Sequence, residues 1–170
     1  MTDTDAEFTL YVEAATPRLL RFAHQLCGDP TQAQDLVQSA LVKTWLSWRR
    51  ISNEDPTPYV RRTIVNNHLS AWRRLRHESP ASLRDVAVAA DESAGERDRL
   101  RRALATLPPR QRAVVVMRWF EDMSEQDVAS TLGCSVGSVK SQSSRGAALL
   151  RAHLGGRYAY ESAVQRTETS

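Results

Sequence analysis

The sequence is poor in the residues that mark several common protein classes. It has two cysteines, Cys27 and Cys134, and no Cys–His cluster beside either. Neither a zinc site nor a disulfide framework is indicated, which suits a reducing compartment. No apolar run is long enough to span a bilayer, and the acidic N-terminus is unlike a signal peptide, so a cytoplasmic protein is expected. Seven glycines among 170 residues include no phosphate-cradling loop. His24, His68, His77 and His153 are scattered, with no Ser–His–Asp or paired-carboxylate pattern. The expectation is a protein that is not an enzyme and needs no cofactor and no metal. Period-two alternation is nearly absent, which argues against a sheet.

Charge is missing locally rather than overall. The formal net charge is only +3. The first sixteen residues hold Asp3, Asp5, Glu7 and Glu13 without a basic side chain. From Tyr59 to His77 there are Arg61, Arg62, Arg73, Arg74 and Arg76 and no acid; from Ser135 to Tyr160, Lys140, Arg145, Arg151 and Arg157 again stand without acids. Two separate basic segments suggest two contacts with a polyanion, most simply nucleic acid.

What is present is helical periodicity. Phe8, Tyr11, Ala15, Phe22 and Leu26 outline a first helical region, kinked or restarted near Pro17 and stopped at Gly28. Asp29-Pro30 supplies an N-cap and a proline at the first helical position. Ala33, Leu36, Val37, Ala40, Leu41, Thr44, Trp45 and Trp48 then follow the spacing of a core-facing stripe. Asp35, Gln38, Ser39 and Lys43 lie on the other side. Residues 51–57 read as a loop, and Pro58 opens a third helix to about Leu75 with Val60, Ile64, Ala71 and Leu75 in line. Residues 77–95, rich in Ser, Pro and Ala, read as a flexible linker with brief order around Leu83 and Val86. Leu100, Ala103, Leu104 and Leu107 mark a short helix ended by Pro108-Pro109, and a Val-rich helix spans Arg110 to Phe120. The expected fold is all-α: two small helical domains joined by that linker.

The second domain ends in a helix-turn-helix. Ser124 and Asp127 form a capping box that opens a helix to Leu132. Ala129 is small where two helices would cross, and Gly133 suits a left-handed turn. Ser135 can cap the last helix, which runs from Val136 to about Leu154, leaving its first turns free for a major groove. Gln142 and Ser143 stand where an apolar anchor is common, so Ala147 and Leu150 are expected to take that part. Three readings stay open on these grounds. They are a dimeric helix-turn-helix repressor, a helical adaptor or other interaction protein, and a DNA reader that works through a larger machine.

The run Leu26–Pro30 with Ala33–Trp45, then Pro58–Asn67 with Trp72-Arg-Arg, resembles extracytoplasmic-function sigma factors of RNA polymerase. So do Leu104–Arg112 and Gly137–Ser141, in the family's order along residues 8 to about 152. The short form with Lys140-Ser141-Gln142 is most similar to an actinobacterial subgroup. The resemblance implies region 2 over 6–76, the linker over 77–95, region 4 over 96–154 and a tail over 155–170. It implies an alternative sigma factor that binds core polymerase through its clamp helices and flap, recognises −35 and −10 promoter elements and promotes opening. Asp35, Gln38, Ser39 and Lys43 would meet polymerase, and loop 51–57 would form the pocket for flipped bases. Tyr59, Arg62, Asn66, Asn67, Arg73 and Arg74 would meet −10 DNA. Arg118, Ser138, Lys140, Ser141, Ser144 and Arg145 would meet −35 DNA. Ala147 replaces a basic residue common in the family, and an anti-sigma factor is admitted as a further partner. Trp45, Trp48 and Trp119 are expected to be structural, and Trp72 either core or a base-stacking surface.

Overall fold

The computed structural model describes residues 3–52, 54–78 and 95–155. The expected linker and tail, the order near Leu83 and Val86, and Arg157 lie almost wholly outside the described residues. Among the described residues every regular element is helical, and the chain divides into two compact units, Met1–Ala71 and Trp72–Ser170.

The first unit holds α1 (Asp3–Cys27), α2 (Pro30–Ile51) and α3 (Thr57–Glu78), whose residues from Trp72 onward fall past that division. Gly28, at φ 78°, ends α1, and Asp29 caps α2 by accepting the Gln32 N–H at 2.7 Å. That two-residue turn sends α2 back along α1, so Phe8 and Tyr11 meet Trp45 and Trp48 at ring separations of 5.0–5.4 Å. The restart expected near Pro17 does not occur, for α1 runs through it. A proline inside a helix costs about 3 kcal/mol. Leu19, Phe22, Ala23 and Leu26 are all buried just beyond it. At roughly 1.5–3 kcal/mol for each large apolar side chain, that burial outweighs the missing bond.

The stripe on α2 is buried at Ala33, Leu36, Val37, Ala40, Thr44 and Trp48. The Thr44 hydroxyl is satisfied within the helix, donating to the Ala40 carbonyl at 2.7 Å. Trp45 departs from the structural role expected of it: it packs on Phe8 yet remains 39% exposed. Val60, Ile64 and Val65 of α3 complete this core. Leu75, expected in line with them, is 48% exposed because α3 outruns the core there.

The second unit comprises α4 (Glu96–Ala105), α5 (Pro109–Val115), α6 (Glu125–Leu132) and α7 (Val136–Leu154). The Val-rich helix is present but changes winding, passing into a π turn over Val116–Phe120 in which the Glu121 N–H donates to the Val116 carbonyl at 3.2 Å. Arg112 to Met117 are six consecutive buried residues, so this segment is enclosed on all sides rather than along one stripe. After it, Asp122 takes a left-handed φ of 50° and turns the chain into α6. Helices α4, α5 and α6 all pack on α7.

Gly146 sits where α5 and α7 come closest. A Cβ there would stand 2.6 Å from Val115 Cγ2 and 3.2 Å from Leu107 Cδ2. The anchor expected at Ala147 and Leu150 is shared with this glycine. Leu150 is buried, Ala147 half-buried, and Gly146 provides the close approach.

Candidate nucleic-acid and partner interfaces

The candidate faces lie on α2 and α3 in the first unit and on α7 in the second. On α2, successive residues turn by about 100°, which places Asp35, Ser39, Val42 and Leu46 in a strip about 60° wide, opposite the buried stripe. Gln38 and Trp45 flank the strip on one side and Lys43 on the other. Asp35, Gln38, Ser39 and Lys43 are all exposed, as expected. Val42 and Leu46, absent from the expected set, are 56% and 79% exposed among those polar residues. Their signal was available, since both fall off the core stripe of an otherwise regular amphipathic helix. Beside them an apolar groove of about 740 Å³ runs between α1 and α2, lined by Phe8, Val12, Leu20, Leu41, Val42 and Trp45 among others. Exposed apolar atoms flanked by polar groups are the pattern of a protein-binding surface rather than a solvated one.

The loop before α3 is tied down at Asp55, whose carboxylate accepts the Thr57 N–H at 3.0 Å. Hydrogen bonding from the Thr57 side chain, aided by that N–H and by the Arg61 and Arg18 guanidinium groups, holds the Asp55 carboxyl below the usual carboxylate range. Tyr11 lies against the same loop, and burial pushes its phenol up.

On α3, Tyr59, Arg62, Asn66 and Arg73 share a strip about 60° wide at 100° per residue. Arg62, Asn66 and Arg73 are exposed, whereas Tyr59 is half-buried with its hydroxyl 3.2 Å from Ser47 Oγ. Asn67 and Arg74 do not join this strip; each lies about 100° round from its preceding residue. Arg74 is exposed. Asn67 is half-buried, accepts from Lys43 Nζ at 2.7 Å and donates to Ser39 Oγ at 3.3 Å. Trp72 is half-buried with the Arg76 guanidinium 5.5 Å from its ring centre.

In the second unit, Ser124 Oγ accepts the Asp127 N–H at 3.0 Å and donates to the Asp127 carboxylate at 2.6 Å, opening α6. Gly133 ends α6 at φ 61° and ψ 44°, a left-handed turn. Ser135 caps α7, accepting the Ser138 N–H at 3.1 Å. Val128, Ala129 and Val139 are buried at the crossing, and Arg110 Nη2 donates to the Leu132 carbonyl at 3.3 Å. This is the geometry of a helix-turn-helix.

Opposite the buried line of Val139, Gly146 and Leu150, α7 exposes Lys140, Ser141, Ser144 and Arg145. Lys140 stands 3.8 Å from Glu125 with its side chain 65% exposed, a pairing weak enough to give way to a phosphate. Ser138 lies at the margin, half-buried, with its hydroxyl 2.9 Å from Ser135 Oγ. Arg118 is half-buried and donates to the Met123 carbonyl, bracing the turn into α6. Among the described residues no helix is long and apolar enough to cross a membrane, and no cluster of His, Cys, Asp and Glu could hold a metal ion.

Comparison with known proteins assigns both units. Residues 11–78 match the family Sigma-70 region 2, and residues 97–150 match Sigma-70, region 4. The chain is 39% identical over 166 residues to an RNA polymerase sigma-E factor of Streptomyces avermitilis, covering 95% of this chain and 93% of that one. It is 31% identical over 147 residues to the ECF RNA polymerase sigma factor EcfG of Rhodopseudomonas palustris, covering 83% and 81%. Among solved structures it is similar to the sigma factor RpoE of Bartonella quintana in complex with the anti-sigma factor NepR. There the TM-score is 0.71 at 23% identity, over 88% of this chain and 98% of that one. A second similar structure is CnrH in complex with the cytosolic domain of CnrY, with a TM-score of 0.63 at 22% identity, covering 88% of each chain. With both regions matched in order and close relatives aligned nearly end to end, the chain belongs to the extracytoplasmic-function RNA polymerase sigma factors.

Proposed function

We propose a division of labour between the two units, in which residues 6–76 dock core polymerase and hold −10 DNA while residues 96–154 read the −35 element. The observation that carries it is the contrast of exposed faces: Val42 and Leu46 set among polar residues on α2, and Lys140, Ser141, Ser144 and Arg145 gathered on α7. Asp35, Gln38, Ser39 and Lys43, joined by Val42 and Leu46, form the surface for the polymerase clamp helices. Tyr59, Arg62, Asn66, Arg73 and Arg74 take the −10 strand, with asparagine suited to base edges, arginine to phosphates and tyrosine to stacking. Lys140, Ser141, Ser144 and Arg145 reach the −35 duplex, and Ser138 and Arg118 support that helix as well as facing DNA.

Both units are on one chain, so docking either raises the effective concentration of the other. Free protein therefore binds promoter DNA poorly, in keeping with a net charge of only +3. Phosphodiester chemistry belongs to the polymerase, and the protein acts in the cytoplasm where that enzyme is. An anti-sigma factor is the regulatory partner we assign, supported by the NepR complex of the related RpoE. Family membership leaves the repressor and adaptor readings without support.

The test is transcription from a genomic promoter library by core polymerase with and without the protein. Initiation at a defined promoter subset only in its presence is expected. No initiation, together with tight operator binding by the protein alone, would overturn the reading.

A further inference from the structure

Asn67 was expected among the −10 DNA contacts, but its surroundings point elsewhere. Reading a base edge takes both ends of an asparagine amide, the carbonyl accepting and the NH2 donating. In this protein both ends are engaged by α2. An ammonium has donors and no acceptor, so the atom facing Lys43 Nζ at 2.7 Å is the amide oxygen. That orientation leaves Nδ2 facing Ser39 Oγ, at 3.3 Å. Asn67 is half-buried, whereas its neighbour Asn66 is exposed and shares the outer strip of α3 with Arg62 and Arg73.

We infer that Asn67 is a positioning residue of the polymerase-docking face, a strap from α3 that holds Ser39 and Lys43 of α2 in their docking geometry, and is not a reader of the −10 element. Lys43 is a long side chain with much rotamer freedom, and docking a partner must fix it. Holding its ammonium in place beforehand lowers that cost. The same amide fixes the rotor of Ser39, four residues before Lys43 on the same face. Base reading in this part of α3 then falls to Asn66, while the strap makes the angle between α2 and α3 part of the docking surface.

This inference rests on α2 being the polymerase-docking face, and Asp35→Ala tests that premise separately, because Asp35 is on the face and makes neither of these hydrogen bonds. The experiment measures core polymerase affinity and −10 base preference, the latter on a randomised promoter library. The variants are Asp35→Ala, Lys43→Ala, Asn67→Ala, Asn67→Asp and the Lys43→Ala/Asn67→Ala pair. Asn67→Ala is expected to weaken core affinity about fivefold, the scale of one ordinary hydrogen bond at a solvent-exposed position. Asn67→Asp keeps an acceptor for both Lys43 and Ser39 and restores the affinity. Because the strap also holds Ser39, the double variant is expected to lose less than the sum of the two single losses, and base preference is unchanged throughout. If Asp35→Ala weakens binding while Asn67→Ala does not, or if Asn67→Ala alters preference at a −10 position, the strap is wrong and the face stands. If neither Asp35→Ala nor Asn67→Ala changes core affinity, the face and the strap fall together.

Discussion

Helices α2 and α7 are built alike and turned outward differently. Each buries one line of side chains, Ala33, Leu36, Val37, Ala40, Thr44 and Trp48 on α2 and Val139, Gly146 and Leu150 on α7. Their opposite faces diverge. On α2 the exposed strip includes Val42 and Leu46 beside Asp35 and Ser39, whereas the exposed face of α7 carries Lys140, Ser141, Ser144 and Arg145 with Ala148, and Leu149 at its edge. Burying Leu46 against another protein is favourable by the hydrophobic effect, while a DNA groove offers phosphates and base edges instead. On the proposed reading, the contrast fits two partners of different chemistry served by one architectural device, an amphipathic helix with a second face for docking.

The widest separation between the units comes from Gly146→Leu. Overpacking against Val115 and Leu107 should destabilise the second unit by about 3 kcal/mol and leave the first intact. Two-dimensional NMR spectra of the full chain, followed by heating, would show this as selective loss of the second unit's signals. Uniform loss would mean that the units do not fold independently. Next, Leu46→Asp should weaken core polymerase binding by about 2 kcal/mol, roughly thirtyfold, by placing a charge in the centre of an apolar contact. Binding of −35 duplex DNA by the same variant, followed by fluorescence anisotropy at low salt, should not change. Arg145→Ala should do the reverse at smaller scale. It should cost about 1 kcal/mol of −35 affinity and lower the salt slope by about one, with core binding retained.

Much of this was legible in the sequence. Asp29-Pro30, Ser124 with Asp127, Gly133 and Ser135 announced helix ends correctly because capping is local chemistry. The α2 stripe was legible because burial repeats with the helical period. Effects that depend on the depth of neighbouring elements were not. Pro17 lies inside α1 because of packing beyond it, and Leu75 is exposed because α3 outruns its core. Gly146 is diagnostic only once α5 is known to cross there. For the interfaces, residue type identified polar faces and the helical period already set Val42 and Leu46 off the core stripe, but only geometry separated Asn67 from Asn66.

The smallest effect concerns the loop before α3. The Asp55 carboxyl is held low by the Thr57 side chain and N–H with Arg61 and Arg18, so its folded value lies below the unfolded one of about 3.9. The stability it contributes is present above that value and is lost as pH falls through the lowered folded one. For so exposed a carboxylate the contribution is under about 1 kcal/mol. Asp55→Asn should remove this part of the acid dependence of first-unit unfolding, as followed by tryptophan fluorescence, while the second unit's acid dependence stays unchanged.

Site-specific photo-crosslinking during initiation bears most directly on the contrast between the two helices. A photoreactive residue at position 46 and another at position 144 would be irradiated in the same complex with core polymerase and promoter DNA. Crosslinks from position 46 to polymerase and from position 144 to duplex DNA at the −35 element are predicted. Crosslinks from position 46 to DNA, or from position 144 to polymerase alone, would contradict the account.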